Sequence, residues 1–300
     1  MANILIVGDG AIGLLFSHFL SAQHTVTLLT RKPTLTTRFY QPSNGKSQPI
    51  NARLINHKEL NQFAPLEWVL FTVKAFQVEA AFKQLQPYLA EHCQVILSHN
   101  GMGNVDELNA ALSAHQGLSF LTTQQAGFKA TQYSVNHTGD GASLLGTCND
   151  AARKVLKQIE QHFSSLPNFS VTDDIHTLRW QKLLVNIAIN PLSAIHNVKN
   201  GQLRTPHFSS RIINLLSEAC LVANKQGISL SLSDALNNAY SVMSATAANF
   251  SSMQQDISHN RASEIDAICG YVCEQGAKLG VKTLYNQAML SMIKAKSAGL

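Results

Sequence analysis

The sequence has few charged residues, few cysteines and no long hydrophobic run. Asp, Glu, Lys and Arg make up 14% of the 300 residues, whereas hydrophobic residues make up 45%. That balance is typical of a compact globular protein and excludes a disordered chain. The five cysteines include no Cys-x-x-Cys pair. They therefore predict neither a metal site nor a disulfide framework.

No segment is apolar for long enough to cross a membrane, and the chain does not start with a basic stretch followed by an apolar one. We therefore expect no membrane partner and a reducing, cytoplasmic location. The formal net charge is +5, without a dense run of Lys and Arg. This favours small anionic ligands and argues against a nucleic-acid partner.

A glycine-rich turn near the start of the chain is its strongest motif. Ile4–Val7 is a continuous apolar run, typical of a buried parallel strand, and a helical pattern begins at Leu14. Between them, Gly8, Gly10 and Gly13 have the spacing G-x-G-x-x-G. The first glycine permits a tight turn, the second lets a diphosphate approach the backbone, and the third lets the helix pack on the strand. The order strand, glycines, helix predicts a dinucleotide site.

The residues after the second predicted strand bear on the choice of cofactor. Thr25–Thr30 is rich in β-branched residues and is followed by Arg31 and Lys32, where an NAD-preferring site usually carries Asp or Glu. Arginine can pair with a 2′-phosphate in a two-pronged, charge-assisted way. Arg31, with possible help from Lys32, therefore predicts NADP(H). The alternative is that both are solvated loop charges.

Strand and helix patterns alternate through the first half of the chain and give way to helical periodicity after about residue 151. We predict an α/β protein with a Rossmann-type, NADP-binding domain over residues 1–170 and a mainly α-helical substrate and catalytic domain over residues 171–300. Further strands are predicted at Trp68–Val73, Gln94–Ser98 and Leu118–Thr122.

Two of these strands end in polar residues suited to ligand contact. Lys74 follows one strand, and Asn100, flanked by glycine, follows another. Ligands of open α/β sheets bind at the carboxyl ends of the strands. The alternatives are an ordinary exposed lysine and an asparagine that forms a turn.

A helical segment of the second half carries three aligned polar residues. Lys182, Asn186 and Asn190 are spaced i, i+4, i+8 among apolar neighbours, so they share one helix face. Burying such groups is costly unless they bind something. Pro191 is expected to kink or end this helix near Ile187. The alternative is a solvent-facing lysine beside two structural asparagines.

Further polar candidates follow along the chain. Asn249 and Ser252 could donate hydrogen bonds to a small carboxylate substrate, or Asn249 and Ser251 could simply cap a helix. Glu264 could hold a buried lysine ammonium in place, or serve as a first-turn acid that complements a helix dipole.

A dinucleotide site, one lysine and several amides suggest a carbonyl reductase. Hydride addition to a carbonyl creates a developing alkoxide, which a lysine can stabilise and protonate. Asparagine side chains can orient the oxygen. These residues predict no more of the substrate than a small carbonyl compound, and the basic net charge leads us to expect an anionic one.

At this point the chain resembles the 2-dehydropantoate 2-reductase, or ketopantoate reductase, family over nearly all of its length. The motifs that carry the resemblance are Gly8-Asp9-Gly10-Ala11-Ile12-Gly13, Val73-Lys74-Ala75-Phe76-Gln77, His99-Asn100-Gly101-Met102-Gly103, Trp180-Gln181-Lys182 with Asn186 and Asn190-Pro191-Leu192, Asn197 with Asn200-Gly201, Ser251-Ser252-Met253-Gln254-Gln255-Asp256, and Arg261 with Glu264-Ile265-Asp266.

The resemblance implies NADPH-dependent reduction of 2-dehydropantoate to (R)-pantoate, in the pathway to pantothenate and coenzyme A. It implies Lys182 as general acid, supported by Glu264. The implied substrate-binding residues are Asn100, Asn186, Asn190, Asn249 and Ser252. The implied cofactor-binding residues are Gly8, Asp9, Gly10, Ala11, Ile12, Gly13, Arg31, Lys74, Gln77, Asn100, Ala126 and Glu264.

Some features depart from the family pattern or leave alternatives open. Gln124 and Gln125 form an unusual pair near the expected nicotinamide site, and residues 33–60 fit only loosely. A reductase of another small 2-keto acid and a non-catalytic NADP(H)-binding sensor remain alternative functions. Both a monomer and a homodimer are compatible with the sequence.

Overall fold

The structure is a computed structural model that describes residues 1–31 and 36–298. By their contacts, these residues form two compact units. The first comprises Met1–His99 and Asn104–Ile175, and the second comprises Asn100–Gly103 and the chain from His176 onward.

The first unit is built on an eight-stranded sheet. Its strands, in spatial order, are β12, β11, β8, β7, β6, β1, β2 and β5. The six strands from β8 to β5 are parallel, and β11 runs antiparallel to β8. The strands of this sheet are β1 (Asn3–Val7), β2 (Thr25–Leu29), β5 (Ala52–Ile55), β6 (Leu66–Phe71), β7 (Leu89–Leu97), β8 (Gly117–Thr123), β11 (Ser143–Thr147) and β12 (Phe169–Val171).

The strand order places a topological switch point at the centre of this sheet. From β1 the chain proceeds outward through β2 and β5, then returns to β6 on the other side of β1 and continues outward through β7 and β8. Ligands of such sheets bind beyond the carboxyl ends of the strands at the switch point. The residues that follow β1 and β6 therefore occupy the position where a dinucleotide is expected.

A second sheet of four short strands was not anticipated from the sequence. Its spatial order is β4, β3, β10, β9. The strands are β3 (Phe39–Gln41), β4 (Gln48–Pro49), β9 (Ala126–Thr131) and β10 (Ser134–Gly139). Tyr40 and Val135 of this sheet are buried in the same apolar cluster as Leu14 and Leu15 of the first helix.

The helices of the first unit cover the main sheet. They are α1 (Ala11–Leu20), α2 (Ala75–Leu85), α3 (Val105–Ala111), α4 (Asp150–Lys154) and α5 (Leu156–Phe163). Buried apolar side chains pack on both faces of the strands, in two separate clusters. This explains the continuous apolar runs in the parallel strands.

Among its described residues the second unit contains helices joined by loops, and no strand. Its helices are α6 (Ile175–His196), α7 (Pro206–Lys225), α8 (Leu232–Ala245), α9 (Ser252–Ser258), α10 (Tyr271–Leu279) and α11 (Leu284–Ala298). A π-helical turn, Asp266–Gly270, precedes α10. The core is formed around Trp180, whose side chain is fully buried. The predicted combination of a Rossmann-type α/β part and a helical part is confirmed.

Helix α6 corrects one expectation. It does not end near Ile187 but continues to His196 with Pro191 inside it. A proline there removes one backbone donor to the Ile187 carbonyl. Leu192 and Ser193, both fully buried, follow directly. Packing of this last part of the helix compensates for the missing hydrogen bond.

Among residues 1–31 and 36–298, no helix combines the length and hydropathy that a membrane span requires. In the same residues, no three His, Cys, Asp or Glu side chains are grouped so that they could hold a metal ion.

Candidate active site

The glycine turn after β1 has the backbone geometry that its sequence predicts. Gly8 has φ +109°, and a Cβ there would lie 2.8 Å from Val73 Cγ1. A Cβ on Gly13 would collide with the Gly8 carbonyl oxygen and lie 2.6 Å from Thr72 Oγ1. Around the Cβ position of Gly10, by contrast, no described atom lies within 4 Å. The first and third glycines serve the fold, and the second leaves open space beside the helix N-terminus.

This contrast predicts opposite effects for two similar substitutions. We expect Gly13→Ala to lower the unfolding free energy by about 1–3 kcal/mol, because a methyl group must displace backbone that is already in contact. Gly10→Ala should leave the thermal midpoint unchanged, since Gly10 has φ −68°, and should weaken dinucleotide binding by filling the open space. Thermal melts and a cofactor titration of both variants check this. Equal melting temperatures would contradict the assignment.

Thr72 braces the glycine turn and was not singled out from the sequence. Its Oγ1 donates to the carbonyl oxygens of Val7 and Gly8, each at 3.1 Å. The only sequence signal was a threonine at the end of a buried strand. Two residues later Lys74 is the N-cap of α2, and its backbone N–H donates to Gln77 Oε1 at 3.3 Å. Lys74 and Gln77 are therefore neighbours at the carboxyl end of β6.

The other predicted cofactor contacts of this unit lie at strand ends. Arg31 is exposed, two residues after β2 ends. Lys32 lies outside the described residues. Ala126 is exposed at the first position of β9. Asp9, Ala11 and Ile12 belong to the glycine turn and the first turn of α1.

The chemistry of this turn fits the diphosphate of a dinucleotide. Helix α1 starts at Ala11 with no acidic side chain in its first turn, so its free N–H groups and partial positive charge are available to a phosphate group. The open space at Gly10 admits that group close to the backbone.

In the second unit, Lys182 and Glu264 form an electrostatic pair. Lys182 lies on α6 and is partly buried, while Glu264 is 9% exposed. Burial lowers the pKa of Lys182 to about 8, even though the Glu264 carboxylate acts to raise it. An ammonium group with such a pKa is stable at neutral pH and releases its proton readily.

Asn100 joins this pair through Glu264. Its Nδ2 donates to Glu264 Oε2 at 3.0 Å. The short segment that carries it packs on the π-helical turn: the Met102 N–H donates to the Ala267 carbonyl at 2.8 Å. At Gly101, with φ +79°, a Cβ would collide with that same carbonyl. A glycine is therefore required for Asn100 to reach Glu264.

The two asparagines of α6 are in different environments. Asn190 is 6% exposed. Asn186 is partly buried, and its buried Nδ2 has no hydrogen-bond partner among the described residues. A buried amide donor without a partner costs free energy. A ligand oxygen would satisfy it.

Helix α9 begins next to the Asn190 turn of α6. Ser193 Oγ lies 3.0 Å from the Asn190 carbonyl oxygen and 2.7 Å from Ser251 Oγ. Ser251 is the N-cap of α9 and accepts from the Gln254 N–H, so the capping alternative is confirmed for this serine. Ser252, the first residue of α9, is exposed.

The backbone of Asn249 is fixed by a hydrogen bond. Its carbonyl oxygen accepts from the Asn200 N–H at 2.9 Å, and the neighbouring Gly201 N–H donates to Ala247. Asn249 is an exposed residue. The structure does not bring a hydrogen-bond partner to its side chain within the described part of the chain.

The unusual Gln124–Gln125 pair has a structural explanation at Gln125. This side chain is 5% exposed. Its Oε1 lies 2.8 Å from His137 Nε2, and its Nε2 donates to the Gly141 and Pro167 carbonyls. Gln125 therefore ties the second sheet to the loops beside β11. Gln124 is exposed.

Comparisons with known proteins identify the family of the chain. Residues 4–150 match the family model described as "Ketopantoate reductase PanE/ApbA", and residues 174–297 match "Ketopantoate reductase PanE/ApbA C terminal". The chain is 37% identical to the 2-dehydropantoate 2-reductase of Vibrio cholerae serotype O1 over 295 residues, or 97% of each chain.

Two solved structures are similar over almost the whole chain. The crystal structure of the probable 2-dehydropantoate 2-reductase panE from Bacillus subtilis has a TM-score of 0.82 at 26% identity, covering 98% of this chain and 99% of that one. A ternary structure of D-mandelate dehydrogenase with NADH and anilino(oxo)acetate has a TM-score of 0.92 at 23% identity, covering 99% and 98%. The latter likeness concerns the fold alone.

Proposed function

The chain belongs to the ketopantoate reductase family and is an oxidoreductase, and from this premise we propose that it reduces 2-dehydropantoate to (R)-pantoate with NADPH. The observation that carries the proposal is the pairing of Lys182, whose pKa is about 8, with the buried carboxylate of Glu264. Cofactor binding alone would not need a lysine paired with this carboxylate. The 2-dehydropantoate 2-reductase activity named for its relatives supports the same reaction.

Lys182 is the general acid of this proposal. When bound, NADPH supplies the hydride for the keto carbon. The Lys182 ammonium stabilises the negative charge that develops on the keto oxygen and then donates the proton that makes it a hydroxyl group. Glu264 favours the ammonium form and, by accepting from Asn100, fixes the position of its own carboxylate.

Substrate oxygens would be held by side chains around Lys182. Asn186 Nδ2, which lacks a partner among the described residues, is assigned to a substrate oxygen, as is Asn190 one turn further along α6. Ser252, exposed at the start of α9, is assigned to the substrate carboxylate, where the helix N-terminus also favours an anion. Asn249 and Asn100 complete the assigned substrate contacts.

The cofactor assignment covers residues at the sheet's switch point. We assign the diphosphate to the glycine turn, residues 8–13, and the 2′-phosphate to Arg31. Lys74, Gln77, Ala126, Asn100 and Glu264 are assigned as further cofactor contacts. In this proposal residues 1–170 form the NADP-binding domain and residues 171–300 the substrate and catalytic domain.

Arg31→Asp tests the choice of cofactor. A carboxylate at this position repels a 2′-phosphate and can accept a hydrogen bond from a ribose 2′-OH. We expect the ratio of kcat/KM for NADPH to that for NADH to fall by roughly a hundredfold, which corresponds to the loss of one charge-assisted pair and the gain of a repulsion. Steady-state kinetics with both cofactors measure this ratio. An unchanged ratio would remove Arg31 from the 2′-phosphate site.

The reaction itself is tested by NADPH consumption with purified protein. 2-Dehydropantoate is compared with a panel of other 2-keto acids, with NADH in parallel. Selective turnover of 2-dehydropantoate with NADPH is the expected result and would place the enzyme in the route to pantothenate and coenzyme A. Selective turnover of a different keto acid would replace the substrate. NADPH binding without turnover on any of them would indicate a sensor.

A further inference from the structure

The glycine turn carries a negative charge at an unexpected place. Asp9 lies between the first two glycines of a turn to which we assign a diphosphate, and its side chain is 34% exposed. A carboxylate there would by itself repel a phosphate group. Some positive charge must therefore accompany it if the turn is to bind a dinucleotide.

Two basic residues of the second sheet converge on Asp9. Arg38, immediately before β3, places Nη2 3.4 Å from Asp9 Oδ2. Lys129, on β9, places Nζ 3.0 Å from the Asp9 backbone oxygen and 3.9 Å from Oδ2. Two cations thus face one carboxylate at the glycine turn. The three groups together carry a formal charge of +1.

The guanidinium of Arg38 is almost fully enclosed. Its side chain is 3% exposed, and Nε has no hydrogen-bond partner in residues 1–31 and 36–298. Nη1 donates to the Thr36 carbonyl at 2.6 Å, and the guanidinium carbon lies 5.1 Å from the centre of the Tyr133 ring. Burying a cation is costly unless anions surround it. The Asp9 carboxylate offsets only part of the cost of burying Arg38, because Lys129 shares the same carboxylate.

The neighbouring charges also act on the pKa of Lys129. Burial lowers its pKa, Arg38 lowers it further, and Asp9 acts in the opposite direction. Its side chain nevertheless remains 30% exposed, so a ligand can reach the ammonium group. An additional anion at this point would relieve the repulsion between the two cations.

We propose that Lys129, positioned by Asp9 and supported by the positive charge of the buried Arg38, binds a phosphate group of the dinucleotide. This inference rests on the proposed use of a nicotinamide dinucleotide. Both the diphosphate and the 2′-phosphate have the required chemistry. The two differ in a simple way, because NADH carries only the former and NADPH carries both.

The test uses the full chain and direct titration with NADPH and with NADH, followed by nicotinamide fluorescence. Lys129→Met removes the charge and keeps most of the side-chain length, whereas Lys129→Arg retains the charge. Lys83→Ala is the matched control, because it removes one positive charge from the exposed face of α2, where Lys83 pairs with Glu79.

We expect Lys129→Met to raise the Kd for NADPH by about tenfold or more, Lys129→Arg to restore it to within about threefold, and Lys83→Ala to leave it unchanged. The NADPH Kd of Lys129→Met should also depend less on salt concentration than that of the parent, because one ionic contact is lost. If Lys129 only stabilised the fold, its replacement would not change the salt dependence of the NADPH Kd. Weaker binding of both cofactors assigns the diphosphate, and weaker binding of NADPH alone assigns the 2′-phosphate.

Unchanged affinity for both cofactors in Lys129→Met, with the parent protein binding NADPH, would overturn the inference. The inference would also be overturned if Lys129→Met bound the cofactors more weakly, Lys129→Arg did not restore the affinity, and the salt dependence of Lys129→Met equalled that of the parent. Failure of the parent to bind either cofactor would instead refute the proposed function. Loss of 2-dehydropantoate turnover with intact NADPH binding would leave this inference standing.

Discussion

Replacement of Lys182 by alanine is expected to lower kcat for keto acid reduction by about a thousandfold, because proton donation and stabilisation of the developing alkoxide are lost together. The Kd for NADPH should stay within about threefold of the parent value, since a general acid acts in the reaction and is not required to bind the cofactor. Steady-state kinetics and a fluorescence titration give the two quantities separately.

Lys225→Ala provides the matched control for this variant. Lys225 is exposed in the last turn of α7, so its removal changes the net charge equally without affecting the proposed acid. Its kcat should equal that of the parent. Full activity in Lys182→Ala would show that another group supplies the proton. Equal loss of turnover and of NADPH binding would point to a folding defect, which a thermal melt would reveal.

Replacement of Glu264 by glutamine is expected to move the pH profile to the acid side. Reduction requires the ammonium form of Lys182, so kcat/KM for the parent should fall as the pH rises through the pKa of about 8. Glu264 acts to raise that pKa. Without its charge the pKa of Lys182 drops further, and the falling limb moves to lower pH.

At pH 8 we expect a loss of kcat/KM of roughly ten- to a hundredfold in Glu264→Gln, since fewer lysines are protonated and the ammonium is held less firmly. The glutamine carbonyl can still accept from Asn100 Nδ2, so the substitution changes the charge and preserves that hydrogen bond. Profiles from pH 5.5 to 9.5 measure the shift. Glu274→Gln serves as control, because Glu274 is an exposed acid of α10 paired with Lys278. A uniform loss at every pH, with no displacement of the limb, would contradict an electrostatic role.

Local sequence patterns were sufficient for a substantial part of the fold. The buried strand, the G-x-G-x-x-G spacing and the first helix are contiguous, so the structure of residues 3–20 could be recognised from a short stretch of sequence. The long helix with Lys182 could be recognised in the same way, because its polar residues repeat at helical spacing. Local rules predict that Pro191 kinks or ends this helix. The helix does not end there, because burial of Leu192 and Ser193 outweighs the lost hydrogen bond.

The second sheet could not be recognised from local patterns. Its strands are two to six residues long, too short for a clear alternation of apolar and polar residues. Strand β10 pairs with β3, so that Val135 faces Tyr40 across a sequence separation of almost a hundred residues. Such pairing depends on packing that no local window contains.

The chain's own sequence thus determined the glycine turn after β1, the α/β and helical halves, and the helix face with the proposed catalytic lysine, because each of these rests on short-range spacing. Only the tertiary structure brought Asn100 to Glu264 across 164 positions and Lys129 to Asp9 across 120. It also lowered the pKa of Lys182 through burial. Desolvation and charge pairing depend on which side chains meet in space, and that is decided when the units fold.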